Sequence, residues 1–120
     1  MCSSDLEILK YSGVQKITLV DLDPEMTKLF SSNPMLTALN GNSLSASRLH
    51  IVNADAFPWL AENRDVFDFV VVDFPDPTNY SLGKLYTTVF YRALAKHLSR
   101  QALVVVQSTS PLFADRKSVV

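Results

Sequence analysis

Apolar residues along this chain fall into short β-branched runs separated by stretches of helical spacing, and the runs end on acids. Ile17, Leu19 and Val20, inside Val14 to Leu22, predict a strand. Asp23-Pro24-Glu25 then places a cap residue before a proline at the first helical position, which predicts a helix through Met26, Leu29 and Phe30. Ser31 to Ser47, rich in Ser and Asn with Pro34 and Gly41, reads as a loop with one helical turn inside a single domain. Leu49 to Val52 predicts a second strand, and Asp55 is placed to cap a helix from Ala56 through Leu60. Phe67 to Val72 is a third strand. Leu85, Val89, Phe90, Ala93, Leu94 and Leu98 recur at helical spacing and give one buried face, after which Ala102 to Gln107 predicts a last strand. Strands that are apolar on both faces and alternate with helices imply an α/β fold, a doubly wound parallel sheet covered by helices. Trp59 and the Phe residues are most simply core.

Composition narrows this picture. With 120 residues, 48% hydrophobic positions and a formal charge of -1, the chain can build one modest core and carries no basic excess for nucleic acid. Its longest apolar runs, Phe69 to Val72 and Ala102 to Val106, are far shorter than the roughly 20 residues that cross a bilayer. The start lacks the basic and apolar regions of a signal peptide, and one Cys permits no internal disulfide, so a reducing, cytoplasmic setting is expected. Cys2-Ser3-Ser4-Asp5-Leu6 and Asp115-Arg116-Lys117-Ser118 back-translate as reverse complements of one short nucleotide stretch. Ligated adaptor oligonucleotides leave such inverted repeats, so residues 1–6 and 115–120 are expected to be scars around a native stretch, 7–114. Codon degeneracy at two polar ends is the rival explanation.

The acids at the strand ends carry the chemistry. Asp21 and Asp23 follow the first strand, Asp55 the second, and Asp73 and Asp76 the third. In a doubly wound sheet these carboxyl ends line one edge, where such folds bind ligands. Asp21 stands where a carboxylate accepts hydrogen bonds from both ribose hydroxyls of a nucleoside, although a solvated loop acid would look the same. For Asp23 the helix cap is a sufficient explanation, and Asp55 is open between a cap and an adenine contact. Asp73 and Asp76, with Pro75 between them and Pro77 after, sit in a stiff turn suited to a cation or to catalysis. No His or Cys is nearby in sequence, and Asp-x-x-Asp is a thin ligand set, so no metal is expected. His50 and His97 stand isolated and read as structural. The three glycines form no Gly-x-Gly after a strand, so the loop that normally brings bare backbone against a nucleoside is expected upstream of Glu7.

Val20-Asp21-Leu22-Asp23-Pro24, Asn53-Ala54-Asp55-Ala56-Phe57, Val72-Asp73-Phe74-Pro75-Asp76-Pro77, Leu85-Tyr86 with Phe90-Tyr91, and Val106-Gln107-Ser108 form an ordered set. In it the chain resembles the polyamine aminopropyltransferases, the spermidine synthase family, across Glu7 to Ala114. The resemblance implies a partial Rossmann-like sheet, as in S-adenosylmethionine methyltransferases, without the family's first strand, Gly-rich loop, amino-terminal hairpin domain or last strands. It further implies that Asp21 holds the ribose of decarboxylated S-adenosylmethionine, that Asp55 and Ala56 border its adenine, and that Asp73 accepts the proton. Asp76, with Gln107 and Tyr80, would bind the amine, putrescine. The nucleoside is then a co-substrate, and no cofactor is implied. The family commonly carries Gly-Pro-x-Glu after the paired acids, where this chain has Asn79-Tyr80-Ser81-Leu82-Gly83-Lys84. That wording is more similar to a bacterial branch whose cytoplasmic synthase domain is fused to a membrane segment, and the family implies a homodimer. A piece without the Gly-rich loop is expected to be inactive by itself.

The residue types suit the reaction independently. A substrate ammonium must lose a proton before its nitrogen can attack carbon, and a carboxylate can take it. Tyr80 or Tyr86 would add cation–π contacts to an ammonium or sulfonium. Two other readings stand beside this one: a methyltransferase using S-adenosylmethionine, and an acidic module that binds without catalysis.

Overall fold

Two parallel strand pairs, each followed at its carboxyl end by an acid, organise the computed structural model of the chain. The structure describes residues 4–74 and 83–107. The chain divides into two units, Met1–Trp59 and Leu60–Val120.

In the first unit, β1 (Ile17–Asp21) runs parallel to β2 (Leu49–Asn53), with Ile17 opposite Leu49 and Asp21 opposite Asn53. Parallel strands need a crossover, and here it is helical. α1 (Ser4–Leu9) precedes β1, while α2 (Pro24–Ser32) and α3 (Pro34–Leu39) lie between the strands. Asp23 caps α2 by accepting hydrogen bonds from the Glu25 and Met26 amides at 2.9 and 3.2 Å, with Pro24 at the first helical position as expected. Asn33 then does two jobs. Its amide donates to the Leu29 carbonyl at the end of α2, and its side chain accepts from the Met35 amide at the start of α3. α3 is the helical turn expected within 31–47, extended to six residues: the Asn residues occupy the caps, and Met35, Leu36, Ala38 and Leu39 make the helix body between them. Gly41 and Asn42, at φ 56° and 58°, reverse the chain into a 3-10 turn, Ser43–Ser45, whose Ser43 and Leu44 are buried. Just before β2, the Arg48 guanidinium donates to the carbonyls of Leu9, Tyr11 and Val14 at 2.8, 3.2 and 2.6 Å. One cation thus satisfies the end of α1 and the turn leading to β1.

α4 (Ala56–Glu62) follows β2, and the division between the units falls within it. In the second unit, β3 (Phe67–Val72) runs parallel to β4 (Leu98–Val106). Phe67 faces Leu98, but Phe69 faces Leu103, so β4 takes five steps where β3 takes two and the extra residues bulge. From Phe69 to Val72 the register is regular, which aligns the carboxyl ends. A 3-10 turn, Lys84–Tyr86, leads through an extended Thr87 into α5 (Thr88–Ala95). Leu60, Val72, Leu85, Phe90 and Leu94 are buried.

The apolar spacing from Leu85 to Leu98 is therefore not one helix. Thr87 breaks it, its hydroxyl donating to the Lys84 carbonyl and accepting from the Phe90 amide as the α5 cap. At the other end the His97 carbonyl accepts from the Phe67 amide at 2.7 Å, so Leu98 already belongs to β4, which starts before the expected Ala102. The aromatic residues are also less uniformly core than expected. Phe90 is 2% exposed, but Trp59 is only half-buried and Phe69 is 46% exposed. Leu103 and Val105 are exposed as well, so the apolar face predicted to lie under helices is open at these positions. Among the described residues, no helix is long and apolar enough to cross a membrane.

Arg48→Ala should destabilise the first unit by about 2 kcal/mol, since three carbonyls lose a charged donor, and Arg48→Lys should recover part of the loss. Urea unfolding of the protein carrying this chain measures both.

Candidate active site at the strand ends

Asp21 is the last residue of β1 and is half-buried. Its carbonyl accepts from the Ala54 amide at 3.0 Å, so the turn after β2 is fastened to the end of β1. Its Oδ1 accepts from the Asp23 amide at 2.8 Å, which bends the side chain back over its own turn. A carboxylate offers about four acceptor positions, so capacity remains for two ribose hydroxyls. Asp55 Oδ1 accepts from the Phe57 amide at 3.0 Å. The capping role anticipated for Asp55 is therefore present, and Ala56 is the first residue of the helix it opens. Asp23 is engaged as a cap, with Oδ1 holding two amides.

Asp73 follows β3 directly and is exposed, while both of its neighbours are held. Val72 before it is 5% exposed, and its carbonyl accepts from the Gln107 amide at 2.9 Å, one step beyond the pairing of Val72 with Val106. That bond sets Gln107 beside the end of β3, so two of the anticipated site residues, Asp73 and Gln107, meet at one ladder end. Phe74 after it is gripped by aromatic groups. Its ring meets Phe90 edge-on at 5.4 Å and Tyr86 at 6.2 Å, and the Tyr86 hydroxyl donates to its carbonyl at 3.0 Å. Phe90 in turn stands edge-on to Tyr91 at 5.5 Å. Tyr86 thus spends its hydroxyl on the backbone beside Asp73, a role separate from the cation–π contact expected of its ring. Asp21, Asp55 and Ala56 belong to the first unit, Asp73 and Gln107 to the second. Asp76 and Tyr80 lie outside the described residues.

His97 Nδ1 donates to the Asp65 carbonyl at 3.0 Å, the structural role expected of it. An open depression of about 340 Å³ lies along α2, lined by Asp23, Glu25, Met26, Lys28, Leu29 and Ser32. Its lining comes from one helix and its cap, so it lacks the converging groups of a reaction site. Of the residues that matter to the strand ends, Asn53 and Phe74 are legible in sequence only as members of motifs that carry the family resemblance, and Thr27 is not legible there. Phe74 lies in the motif after β3 and Tyr86 and Phe90 in a later one, but neither motif announces the contacts between them. The contact between Thr27 and Asn53 has no trace in sequence, since a polar residue in a helix and another at a strand end predict no contact.

Parallel α/β units that expose carboxylates at their strand ends define a class of small-molecule-binding domains. Within that class the sequence comparisons are specific: a family model described as spermine/spermidine synthase domain matches residues 5–119, and the chain belongs to this family. It is 54% identical over 110 residues to polyamine aminopropyltransferase 2 of Ralstonia nicotianae, covering 92% of this chain and 22% of that protein. It is 51% identical over 108 residues to the polyamine aminopropyltransferase of Leptospira interrogans, covering 90% and 22%. The corresponding protein of Mycobacterium tuberculosis is 40% identical over 108 residues, covering 88% and 20%. The chain thus spans about a fifth of the length of these relatives.

Tyr86→Phe keeps the ring and removes the bond to the Phe74 carbonyl, so it should cost about 1 kcal/mol. Phe90→Ala should cost about 3–5 kcal/mol by opening the cluster under Phe74. Denaturant titrations of the two variants should show this order.

Proposed function

We propose that the complete protein carrying this chain transfers the aminopropyl group of decarboxylated S-adenosylmethionine to putrescine, giving spermidine and methylthioadenosine. The observation that carries the reading is Asp73, an exposed carboxylate between two immobilised neighbours at the end of a parallel ladder. The names of the relatives support aminopropyl transfer. The choice of putrescine rests on the pair Asp73 and Asp76, whose two negative charges suit a diamine carrying two positive ones. The finer fold reading goes with it: the chain is part of a Rossmann-like domain within a homodimeric parent, whose synthase domain is cytoplasmic and fused to a membrane segment.

In this mechanism Asp73 takes a proton from the substrate ammonium. The freed nitrogen forms a bond to the methylene beside the sulfonium, and the carbon–sulfur bond breaks with its electron pair remaining on sulfur. The leaving group is a neutral thioether, so no acid is needed to expel it. Asp76 holds an ammonium, and Gln107 and Tyr80 fix its approach. Asp21 accepts from the ribose hydroxyls, while Asp55 and Ala56 border the adenine. The rigidity on both sides of Asp73 serves the reaction, because proton transfer and in-line attack both depend on the carboxylate's position.

Asp73→Asn in the complete protein should lower kcat by about 10²–10⁴-fold, the range typical of a lost general base, with methylthioadenosine affinity changed less than about twofold. Wild-type turnover in that variant would refute Asp73 as the base. Release of adenosylhomocysteine from S-adenosylmethionine would establish the methyltransferase reading instead.

A further inference from the structure

We infer that Thr27 and Asn53 act as positioning residues that set the orientation of Asp21 toward a ribose, an inference that rests on the nucleoside role proposed for Asp21. Thr27 is a polar side chain in the first turn of α2, yet it is buried. Its hydroxyl donates to the Asp23 carbonyl at 3.2 Å and accepts from the Asn53 carboxamide at 3.0 Å. The same Asn53 nitrogen reaches the Asp21 carbonyl at 3.4 Å, where the Ala54 amide also donates. The Asp23 amide closes the set on Asp21 Oδ1 at 2.8 Å.

The contacts join the ends of both strands of the first pair to the first turn of α2. Asp21 therefore has its carbonyl fastened from β2 and one carboxylate oxygen fastened from its own turn. The Thr27 hydroxyl is the common member, because it touches the turn through Asp23 and the strand end through Asn53. Helix capping does not require any of this, since Asp23 caps α2 with its own carboxylate. An arrangement that fastens the Asp21 carbonyl and one of its carboxylate oxygens, and not merely the start of a helix, suits a carboxylate that must meet two vicinal hydroxyls at once.

The test is calorimetric binding of adenosine and of 2′,3′-dideoxyadenosine to the complete protein and to Thr27→Val, Thr27→Ser and Asn53→Ala. The wild type should prefer adenosine by about tenfold or more, as expected for hydrogen bonds to a charged group. Thr27→Val and Asn53→Ala should reduce that preference by about fivefold, and Thr27→Ser, which retains the hydroxyl, should preserve it. Asn53 is exposed, so its truncation keeps the test available if Thr27→Val does not fold. Full preference in both Asn53→Ala and a folded Thr27→Val, or in Asn53→Ala alone where Thr27→Val does not fold, would overturn the positioning role while leaving the ribose role of Asp21 intact. A wild type that binds both nucleosides equally, or neither, would overturn the ribose role and the inference with it.

Discussion

Parallel pairing is the constraint on which the chemistry of this chain depends. In a parallel ladder both strands end on the same side, so whatever follows their last residues is presented together. The pairing of Asp21 with Asn53 brings the turn carrying Asp55 against the end of β1, fastened by the Ala54 amide on the Asp21 carbonyl. The pairing of Val72 with Val106 brings Gln107 against the end of β3. The bulge in β4 matters here because it absorbs the mismatch near Leu98, leaving regular register from Phe69 to Val72 and a defined exit for Asp73.

Register alone would leave the acids on loose turns, and in each unit a second set of contacts removes that freedom. Asp21 is tied to Asp23, and through their carbonyls both are tied to Asn53 and Thr27. Asp73 is flanked by buried Val72 and by Phe74, whose ring and carbonyl are both engaged. The two solutions use different physics. Polar contacts between strand end and helix hold the first acid, and edge-on aromatic packing with one phenol hydrogen bond holds the second.

Much of this was legible in sequence because it is local. Asp23-Pro24 announces a capped helix, Asp55 caps as its position suggests, and the β-branched runs became strands with parallel partners. What was missed is non-local or turns on how a residue's side chain is spent. Ser- and Asn-rich composition between 31 and 47 suggested a loop with one helical turn, and gave no sign that Asn33 both ends one helix and starts the next. Leu98 kept helical spacing with Leu94, but the hydrogen bond from Phe67 to His97 drew the chain into the sheet first. Arg48 reaches residues far back in the chain, so its grip on Leu9, Tyr11 and Val14 leaves no periodic trace. Tyr86 offers a ring for a cation in sequence, but the bond from its hydroxyl to the Phe74 carbonyl leaves no trace there.

The proposed function turns on one claim, that the carboxylate after β3 serves amine attack on a sulfonium-bearing nucleoside. Product analysis of the complete protein, supplied with decarboxylated S-adenosylmethionine and putrescine, tests it most directly. The account predicts spermidine and methylthioadenosine in equal amounts. Methylthioadenosine release that does not depend on the amine, or no reaction of this pair by a folded protein, would contradict it.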